Sequence, residues 1–343
     1  MKAIVRRIAF TAALLLGAIG LAVAVLALVT RSLLAPAAPG ASPVVFDVSA
    51  GATLSSVANR LEAAGLVKDA RAFVALARFR GLESRLQAGE YDLSAALPAE
   101  EILAKLTDGR VRTFEVLLPE GLNAGEIATR LAAAGLCDKD AFLAVVRDPA
   151  SAAAFGVEGP GLEGYLFPET YRLPRGLAPR EIARTLVEQF RDAWQGVAEA
   201  AAASGLSMRQ VVTLASIVEK ETGVGGERPL VASVFRNRLA RGMRLESDPT
   251  VIYGIADFDG NLKRVHLEDE SNPYNTYRIA ALPPGPIGSP GADALRAVVA
   301  PAATDYLFFV SRNDGTHVFS KSFDEHVNNV NRFQRSGQRR AGP

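Results

Sequence analysis

Two glutamates near the middle of the chain, Glu219 and Glu221, are the side chains best suited to acid–base chemistry. A carboxyl group on an apolar helix face is costly to ionise, so its pKa should rise. A glutamate in that setting can hold a proton near neutral pH, as the general acids of glycosidases do. The alternative is a helix-edge glutamate that forms an ion pair with Arg228 or Arg238.

The surrounding sequence predicts a helix that places Glu219 among apolar side chains. Ser207 and Gln210 form a capping-box pattern, which predicts where the helix starts. At about 100° per residue, Glu219 falls on the apolar stripe between Val212 and Ala215. Glycines that tolerate a left-handed turn are predicted to end the helix, at Gly223, Gly225 and Gly226.

Several short motifs occur in a fixed order from this helix onward. They are IVEKET (217–222), ER (227–228), VASVFRNRL (231–239), GMRL (242–245), SDPTVIYG (247–254), YNTY (274–277) and ALPPGPI (281–287). In this order the motifs resemble those of the YceG-like family of endolytic murein transglycosylases. In that family the first glutamate of the EKET motif is the catalytic acid/base, so the resemblance implies that role for Glu219.

The implied reaction needs one carboxyl group, whereas ordinary glycosidases use two. Glu221 lies about 200° around the helix axis from Glu219, so the two cannot flank one bond. In a lytic transglycosylase, Glu219 would protonate the oxygen between N-acetylmuramic acid and N-acetylglucosamine. The resulting carboxylate would then deprotonate the muramic C6 hydroxyl, which attacks C1 and leaves a 1,6-anhydro end.

The composition argues against several other classes of function. The 343 residues carry a formal net charge of +1, so the chain lacks the excess of positive charge that is typical of nucleic-acid-binding proteins. The single cysteine, Cys137, precludes an internal disulfide and is predicted to be a small buried apolar residue. The three histidines and this cysteine lack HExxH or CxxC spacing, which argues against a zinc enzyme. We therefore expect no metal ion and no cofactor.

Residues 8–29 form an uncharged apolar run that is long enough to span a bilayer as a helix. Lys2, Arg6 and Arg7 precede the run and Arg31 follows it, which favours a cytoplasmic N-terminus. The rest of the chain would then lie outside the inner membrane. A cleaved signal peptide is the alternative, although the run exceeds the usual apolar core of such peptides.

An internal repeat follows the apolar run. Residues 45–67 match 113–137, with a small insertion in the second copy, and residues 91–106 match 171–186. Each copy predicts the order strand, helix, helix, strand, helix, because alternating strand patterns precede Leu- and Ala-rich runs. We infer that one small α/β module was duplicated within an α+β or mixed α/β fold.

The predicted organisation has six parts in chain order. They are a cytoplasmic N-terminus (1–7), a transmembrane helix (8–29), a Pro-rich linker (30–43), a first module (44–110), a catalytic domain (111–335) and a disordered tail (336–343). The catalytic domain is divided into the second module copy (111–190) and a catalytic core (205–335).

The first module resembles the LysM-like domain seen in this family. LysM-type modules bind glycans that contain N-acetylglucosamine, so the resemblance implies carbohydrate binding. A spacer that lifts the catalytic domain off the membrane is the equal alternative.

Several residues outside the Glu219 helix suit a sugar-binding cleft. Alternating acidic and aromatic residues over 163–171 predict a strand with aromatic rings on one face. SDPTVIYG is predicted to be a turn followed by a strand, and Asn275 suits an acetamido group. The candidate substrate-binding residues are Glu163, Tyr165, Glu169, Tyr171, Glu221, Asn237, Asp248, Thr250, Tyr274, Asn275 and Tyr277.

Two other functions stay open at this point. A glycan hydrolase would use Glu163, Glu169 or Asp248 as its second carboxylate. A membrane-tethered scaffold would bind peptidoglycan glycan strands without cutting them. The resemblance itself implies internal cleavage of nascent strands beside peptidoglycan synthases, which would end strand elongation.

Overall fold

The computed structural model describes residues 2–335, with the side chains of residues 10, 11 and 14–334. These residues form a mixed α+β structure, which confirms the predicted fold class at this level. The described residues divide into two compact units, one of residues 2–113 with 174–176 and one of 114–173 with 177–335. The predicted disordered tail, 336–343, lies outside the described residues.

The first unit contains a long apolar helix followed by a small module. Its elements are α1 (Lys2–Leu34), β1 (Val44–Val48), α2 (Leu54–Ala63), α3 (Ala70–Phe79), β2 (Gly89–Leu93) and α4 (Ala99–Thr107). Within α1, residues Leu14–Leu34 have a mean hydropathy of 2.3, and none of these residues is buried in the protein. This helix is long and apolar enough to serve as a single membrane anchor.

The predicted linker is shorter than expected. Residues 30–34 belong to α1, because the helix continues until the approach of Pro36 disfavours the helical conformation. The rest of the linker is attached to the first module, since the Ser94 hydroxyl donates to the Ala41 carbonyl (2.6 Å). Of the predicted linker 30–43, only residues 35–43 lie outside helices and strands.

The second unit contains the second module copy and a mainly helical region. The module elements are β3 (Phe114–Leu118), α5 (Ala124–Ala133), α6 (Lys139–Arg147), α7 (Pro149–Phe155), β4 (Glu169–Leu173) and α8 (Pro179–Gln195). The remaining elements are α9 (Ala198–Ser204), α10 (Met208–Glu221), α11 (Arg228–Ala240), α12 (Asp248–Tyr253), α13 (Arg264–Glu268), α14 (Ala292–Val299), β5 (Phe308–Ser311), β6 (His317–Ser320) and α15 (Phe323–Val330). A 3₁₀ turn covers Gly225–Glu227, and a π-helical turn covers Asn331–Arg335.

The two modules have the same strand pairing. β1 pairs antiparallel with β2, and β3 pairs antiparallel with β4, so Phe46 faces Tyr91 and Val116 faces Tyr171. The predicted insertion within 113–137 is wrong, since both copies have equal spacing from the first strand to the first helix. The extra residues of the second copy lie between α6 and β4 and form α7 and a loop.

Helix α10 lies at the centre of the second unit. Every residue from Val211 to Val218 is buried, and the helix packs against α11 and α14. Cys137 is half-buried against the same core, and burial raises the pKa of its thiol. The buried body of α10 fixes the position of the two glutamates at its C-terminal end.

Candidate active site

The predicted helix around Glu219 is confirmed as α10, with the expected capping box at its start. The Ser207 side chain accepts from the Gln210 N–H, and the Gln210 side chain accepts from the Ser207 N–H. The predicted glycine stop is wrong. Thr222 ends the helix in an extended conformation (φ −142°, ψ 129°), before the glycines are reached.

The Glu219 carboxyl group lies inside a charged cluster at the end of α10. The Arg228 guanidinium donates to Glu219 Oε1 (2.5 Å), and the Gly291 backbone N–H donates to Oε2 (3.0 Å). The side chain is only 4% exposed. The expected apolar surroundings are therefore wrong, and the ion pair with Arg228 is present, because α11 begins beside the end of α10. Both donors stabilise a carboxylate.

A second carboxyl group, that of Glu120, shares this arginine. Arg228 donates to Glu120 Oε2 (3.0 Å), so the carboxyl groups of Glu120 and Glu219 share one guanidinium. The Glu120 side chain is 45% exposed. Burial and the neighbouring charge of Glu219 raise the pKa of Glu120, although Arg228 opposes the shift. The neighbouring negative charge of Glu219 thus favours the protonated form of Glu120.

Glu120 was missed in the sequence analysis. It occupies the turn between β3 and α5, and the equivalent turn of the first module has Ala50. That difference between the two copies is the sequence signal that could have identified it. Its contact with Arg228 joins residues that are 108 positions apart, so no local pattern reports it.

Gly291 brings the two carboxyl groups together. A Cβ atom at this position would lie 1.8 Å from Glu120 Oε1, so only glycine lets that carboxyl group approach the backbone. The Gly121 N–H donates to the Ser289 carbonyl and the Ser289 N–H donates to the Leu122 carbonyl, both at 2.8 Å. This pair of hydrogen bonds holds the β3–α5 turn against the segment that precedes α14.

Glu221 belongs to a different polar group on the other side of α10. The Ser247 hydroxyl donates to Glu221 Oε1 (2.5 Å). Burial raises the pKa of Glu221 to about 7, although the bond from Ser247 opposes the shift. Nearby, the Tyr277 hydroxyl donates to Asp248 Oδ1 (2.7 Å).

The segment SDPTVIYG is a helix rather than a turn and strand. Asp248 and Pro249 form the first turn of α12, where proline is tolerated because its missing N–H needs no partner. Thr250 is fully buried, and its hydroxyl contacts the Ser247 carbonyl and the Thr276 hydroxyl. Thr250 therefore stabilises the fold, and its predicted contact with substrate is wrong.

Glu163 lines a separate cavity of about 630 Å³. Its carboxylate accepts from the Ala124 N–H (3.1 Å) and from the Tyr253 hydroxyl (3.0 Å). Burial raises the pKa of Glu163 to about 7, although these two hydrogen bonds oppose the shift. The ring of Tyr274 lies edge-on to that of Tyr253, at 4.8 Å between centroids, and also lines the cavity.

The predicted sugar-stacking strand over 163–171 is wrong. The strand begins only at Glu169, because residues 163–168 follow an irregular path with Gly164 at φ 84°. Tyr165 and Tyr171 are core residues whose hydroxyls donate to the carbonyls of Glu158 (2.5 Å) and Phe167 (2.7 Å). Their buried rings offer no face for stacking, and Glu169 is exposed on the strand.

Two predicted amide ligands have structural roles instead. Asn237 donates to the carbonyls of Thr304 (2.8 Å) and Tyr306 (2.9 Å), which attaches α11 to the segment before β5. Asn275 is fully buried and donates to three backbone carbonyls of the α13 region, those of His266, Leu267 and Asp269. With these donors used internally, neither amide group donates to an acetamido group.

Comparison with known proteins identifies relatives over most of the chain. The model of the YceG-like family matches residues 46–332. A Bacillus subtilis (strain 168) protein named endolytic murein transglycosylase is 30% identical over 313 residues, which cover 86% of each chain. A protein of the same name from Streptococcus pneumoniae serotype 2 (strain D39) is 28% identical over 318 residues, covering 84% of this chain and 58% of the relative.

A solved structure has a similar fold. The crystal structure of a YceG-like protein from Listeria monocytogenes superposes with a TM-score of 0.58 and 30% sequence identity, covering 84% of this chain and 98% of that one. The family match spans both units of the structure described above. This chain is a member of the YceG-like family.

Proposed function

We propose that this chain is a membrane-anchored lytic transglycosylase that cuts peptidoglycan glycan strands internally and leaves 1,6-anhydro-N-acetylmuramic acid ends. Its relatives are named endolytic murein transglycosylases, which are lytic transglycosylases. The observation that carries the proposal is the position of Glu219. This residue belongs to the IVEKET segment and shares Arg228 with a second carboxyl group that is open to solvent.

Glu219 is the acid and base of the proposed reaction, and Glu120 is its proton-sharing partner. The pair begins with one proton, which Glu219 delivers to the bridging oxygen as the glycosidic bond breaks. The C6 hydroxyl of N-acetylmuramic acid then attacks C1, and its proton returns to the pair. The proton balance closes without water, and the attacking group is already held on the same sugar. Arg228 stabilises the negative charge that the pair carries between the two steps.

The proposed location is the outer side of the cytoplasmic membrane. An apolar helical stretch at Leu14–Leu34, with Arg31 in its last turn, supports a single-pass anchor, and the cations before it favour a cytoplasmic N-terminus. Such a position places the second unit beside nascent glycan strands and the synthases that make them, so cleavage there would end strand elongation. The first module is proposed to bind glycan in the manner of LysM-like domains.

The assignment of Glu219 is tested with Glu219→Gln in the full chain. We expect the rate of anhydro-end formation from purified sacculi to fall by about 10²–10⁴-fold, since the amide cannot deliver a proton. Mass spectrometry of the released fragments measures this. Glu188→Gln is the matched control, because Glu188 is an exposed carboxyl group on α8 of the same unit. Near-normal anhydro-end formation by Glu219→Gln would refute the assignment.

The same digest tests the two alternatives. A glycan hydrolase adds water and leaves reducing ends, which differ from anhydro ends by the mass of one water molecule. A non-enzymatic scaffold binds sacculi and releases no soluble fragments.

A further inference from the structure

The cavity beside Glu163 is separate from the Glu219 cluster, although both lie in the second unit. Arg209 lines the cavity near the start of α10, and Glu219 lies near its end. At 1.5 Å per residue, the two positions are about 15 Å apart along the helix axis. The cavity therefore lies beyond the sugars that would flank a bond reacting at Glu219.

Two further segments run from this cavity to the Glu219 cluster. The β3–α5 turn contributes Glu120 to the cluster and leads into Ala124 at the cavity. The segment 285–291 has Pro286 at the cavity and Gly291 at the Glu219 carboxylate. Because Val211 to Val218 of α10 and residues 285–291 are buried, these segments hold the cavity and the Glu219 cluster at a fixed distance within the second unit.

The lining of the cavity suits a neutral polar ligand that has an apolar face. Arg147 and Arg209 are offset by two carboxylates, those of Glu126 and Glu158, so the lining does not select a charge. The rings of Tyr253, Tyr274 and Phe258 supply apolar surface, and the volume falls in the range of small-ligand sites. The Glu163 carboxyl group and the Tyr253 hydroxyl supply hydrogen bonds at the cavity wall.

We propose that this cavity binds a neutral N-acetylated sugar, an N-acetylglucosamine unit of the same glycan strand whose reacting bond lies at Glu219. The inference rests on the proposed function for the identity of the strand. The protonated Glu163 side chain donates to a hydroxyl or acetamido oxygen of the sugar, and Tyr274 packs against the sugar ring. A subsite this far from the reacting bond favours long strands over short ones, and thus cleavage away from strand ends.

Binding is measured separately from cleavage by using Glu219→Gln as the parent protein. The full chain in detergent is titrated with the hexamer of N-acetylglucosamine by isothermal calorimetry, and cellohexaose serves as the probe that lacks acetamido groups. We expect the N-acetylated hexamer to bind and cellohexaose to bind at least about tenfold more weakly, since the acetamido contacts are lost. Failure of the N-acetylated hexamer to bind would overturn the proposal.

Variants of the cavity assign this binding to the right unit, because the first module is a second candidate for glycan binding. In the parent background, Tyr274→Ala and Ile255→Trp should each weaken hexamer affinity about tenfold, the first by removing a ring and the second by filling the cavity. Thermal unfolding of each variant confirms that it is folded. Unchanged affinity in both folded variants would overturn the proposal and leave the Glu219 assignment intact.

The protonation of Glu163 provides an independent test of the proposed sugar site, through the pH dependence of hexamer binding. The groups around it are Glu126 on α5, Arg147 on α6, Tyr253 on α12 and Tyr274 before α14. The protonated Glu163 side chain is the proposed donor. The affinity of the parent protein for the hexamer should therefore fall as the pH rises through about 7, which is the pKa of Glu163. Glu163→Gln always donates, so it should retain affinity without this pH dependence, whereas Glu163→Ala should lose affinity at every pH. Equal pH dependence in the parent and Glu163→Gln would contradict the proposed donor.

With Glu219 restored, Tyr274→Ala should lower kcat/KM for long glycan strands by a larger factor than kcat/KM for short strands. If wild-type protein formed no anhydro ends while the parent still bound the hexamer through the cavity, the proposed function would fail and the binding site would stand. The two proposals therefore fail under different results.

Discussion

The two module copies have the same construction but differ in chemistry. Each has a two-stranded antiparallel sheet, and the second strand carries a tyrosine whose hydroxyl donates to the carbonyl four residues earlier, at 2.7 Å in both copies. Each first helix begins at a capping side chain, Thr53 or Asn123. The glycine two residues before that cap has φ 77° in one copy and φ 79° in the other.

The copies differ at the turn before the cap and in the loop before the second strand. The turn has Ala50 in the first copy and Glu120 in the second, where the carboxyl group reaches Arg228. The longer loop of the second copy supplies Glu163. The duplicated part of the module therefore provides a scaffold, and one substituted turn and one inserted loop provide the carboxyl groups.

The largest expected effect comes from making the second turn like the first. Glu120→Ala removes the carboxyl group that shares a proton with Glu219, so we expect the cleavage rate to fall by about 10²-fold and its pH dependence to change. Rates of anhydro-end formation across pH measure this. The reciprocal change, Ala50→Glu, should leave the rate unchanged. If Glu120→Ala had an unaltered rate and pH profile, Glu120 would have no part in the reaction, and the difference between the two turns would have no catalytic effect.

The inserted loop should make the stability of the second unit depend on pH. The pKa of Glu163 is raised from 4.5 to about 7 on folding, so the native state binds more protons than the unfolded state in this interval. Its stabilising contribution is complete below pH 4.5 and is lost as the pH rises through about 7. The free energy of unfolding should therefore fall over this interval by an amount on the order of 3 kcal/mol.

Denaturant unfolding of wild type and Glu163→Gln at several pH values measures this contribution. The variant should show a shallower decline, although Glu221 contributes a decline of the same sign in both proteins. Parallel curves for the two proteins would contradict the role of Glu163.

Equivalent tyrosines should show that the scaffold is equally important in both copies. Tyr91→Phe removes the hydrogen bonds to the carbonyls of Gln87 (2.7 Å) and Leu106 (3.4 Å), and Tyr171→Phe removes the bond to the Phe167 carbonyl. Each variant should destabilise its own unit by about 1 kcal/mol. Native-state hydrogen exchange reports each unit separately. A much larger loss of stability in only one copy would show that the two tyrosines are not equivalent.

Removing the N-cap side chains should give the smallest difference in stability between the two module copies. Asn123 forms a full capping box with Glu126, whereas Thr53 accepts a single bond from the Ser56 N–H. Asn123→Ala should therefore cost about 1 kcal/mol and Thr53→Ala about 0.5 kcal/mol. The same exchange experiment measures both. A larger loss for Thr53→Ala would reverse the expected order.

The sequence predicted elements well where the signal was local or repeated. The capping box of α10 and the strand pairing of the modules depend on residues close in sequence or on a pattern that occurs twice. The prediction failed over 163–171, where alternating aromatic residues indicated a strand although most of them belong to the core of an irregular loop. It also failed at Asn275, whose amide was expected to face substrate but satisfies buried carbonyls.

The sequence by itself determined the apolar N-terminal helix, the duplicated module and the start of the helix that contains Glu219, because neighbouring side chains decide these features. Only the tertiary structure decided which groups surround each carboxyl. Glu219 meets Arg228 and Glu120, and Glu163 meets Tyr253, through contacts between distant segments. The energy of a charge depends on the groups within a few ångströms of it, and folding alone chooses those groups.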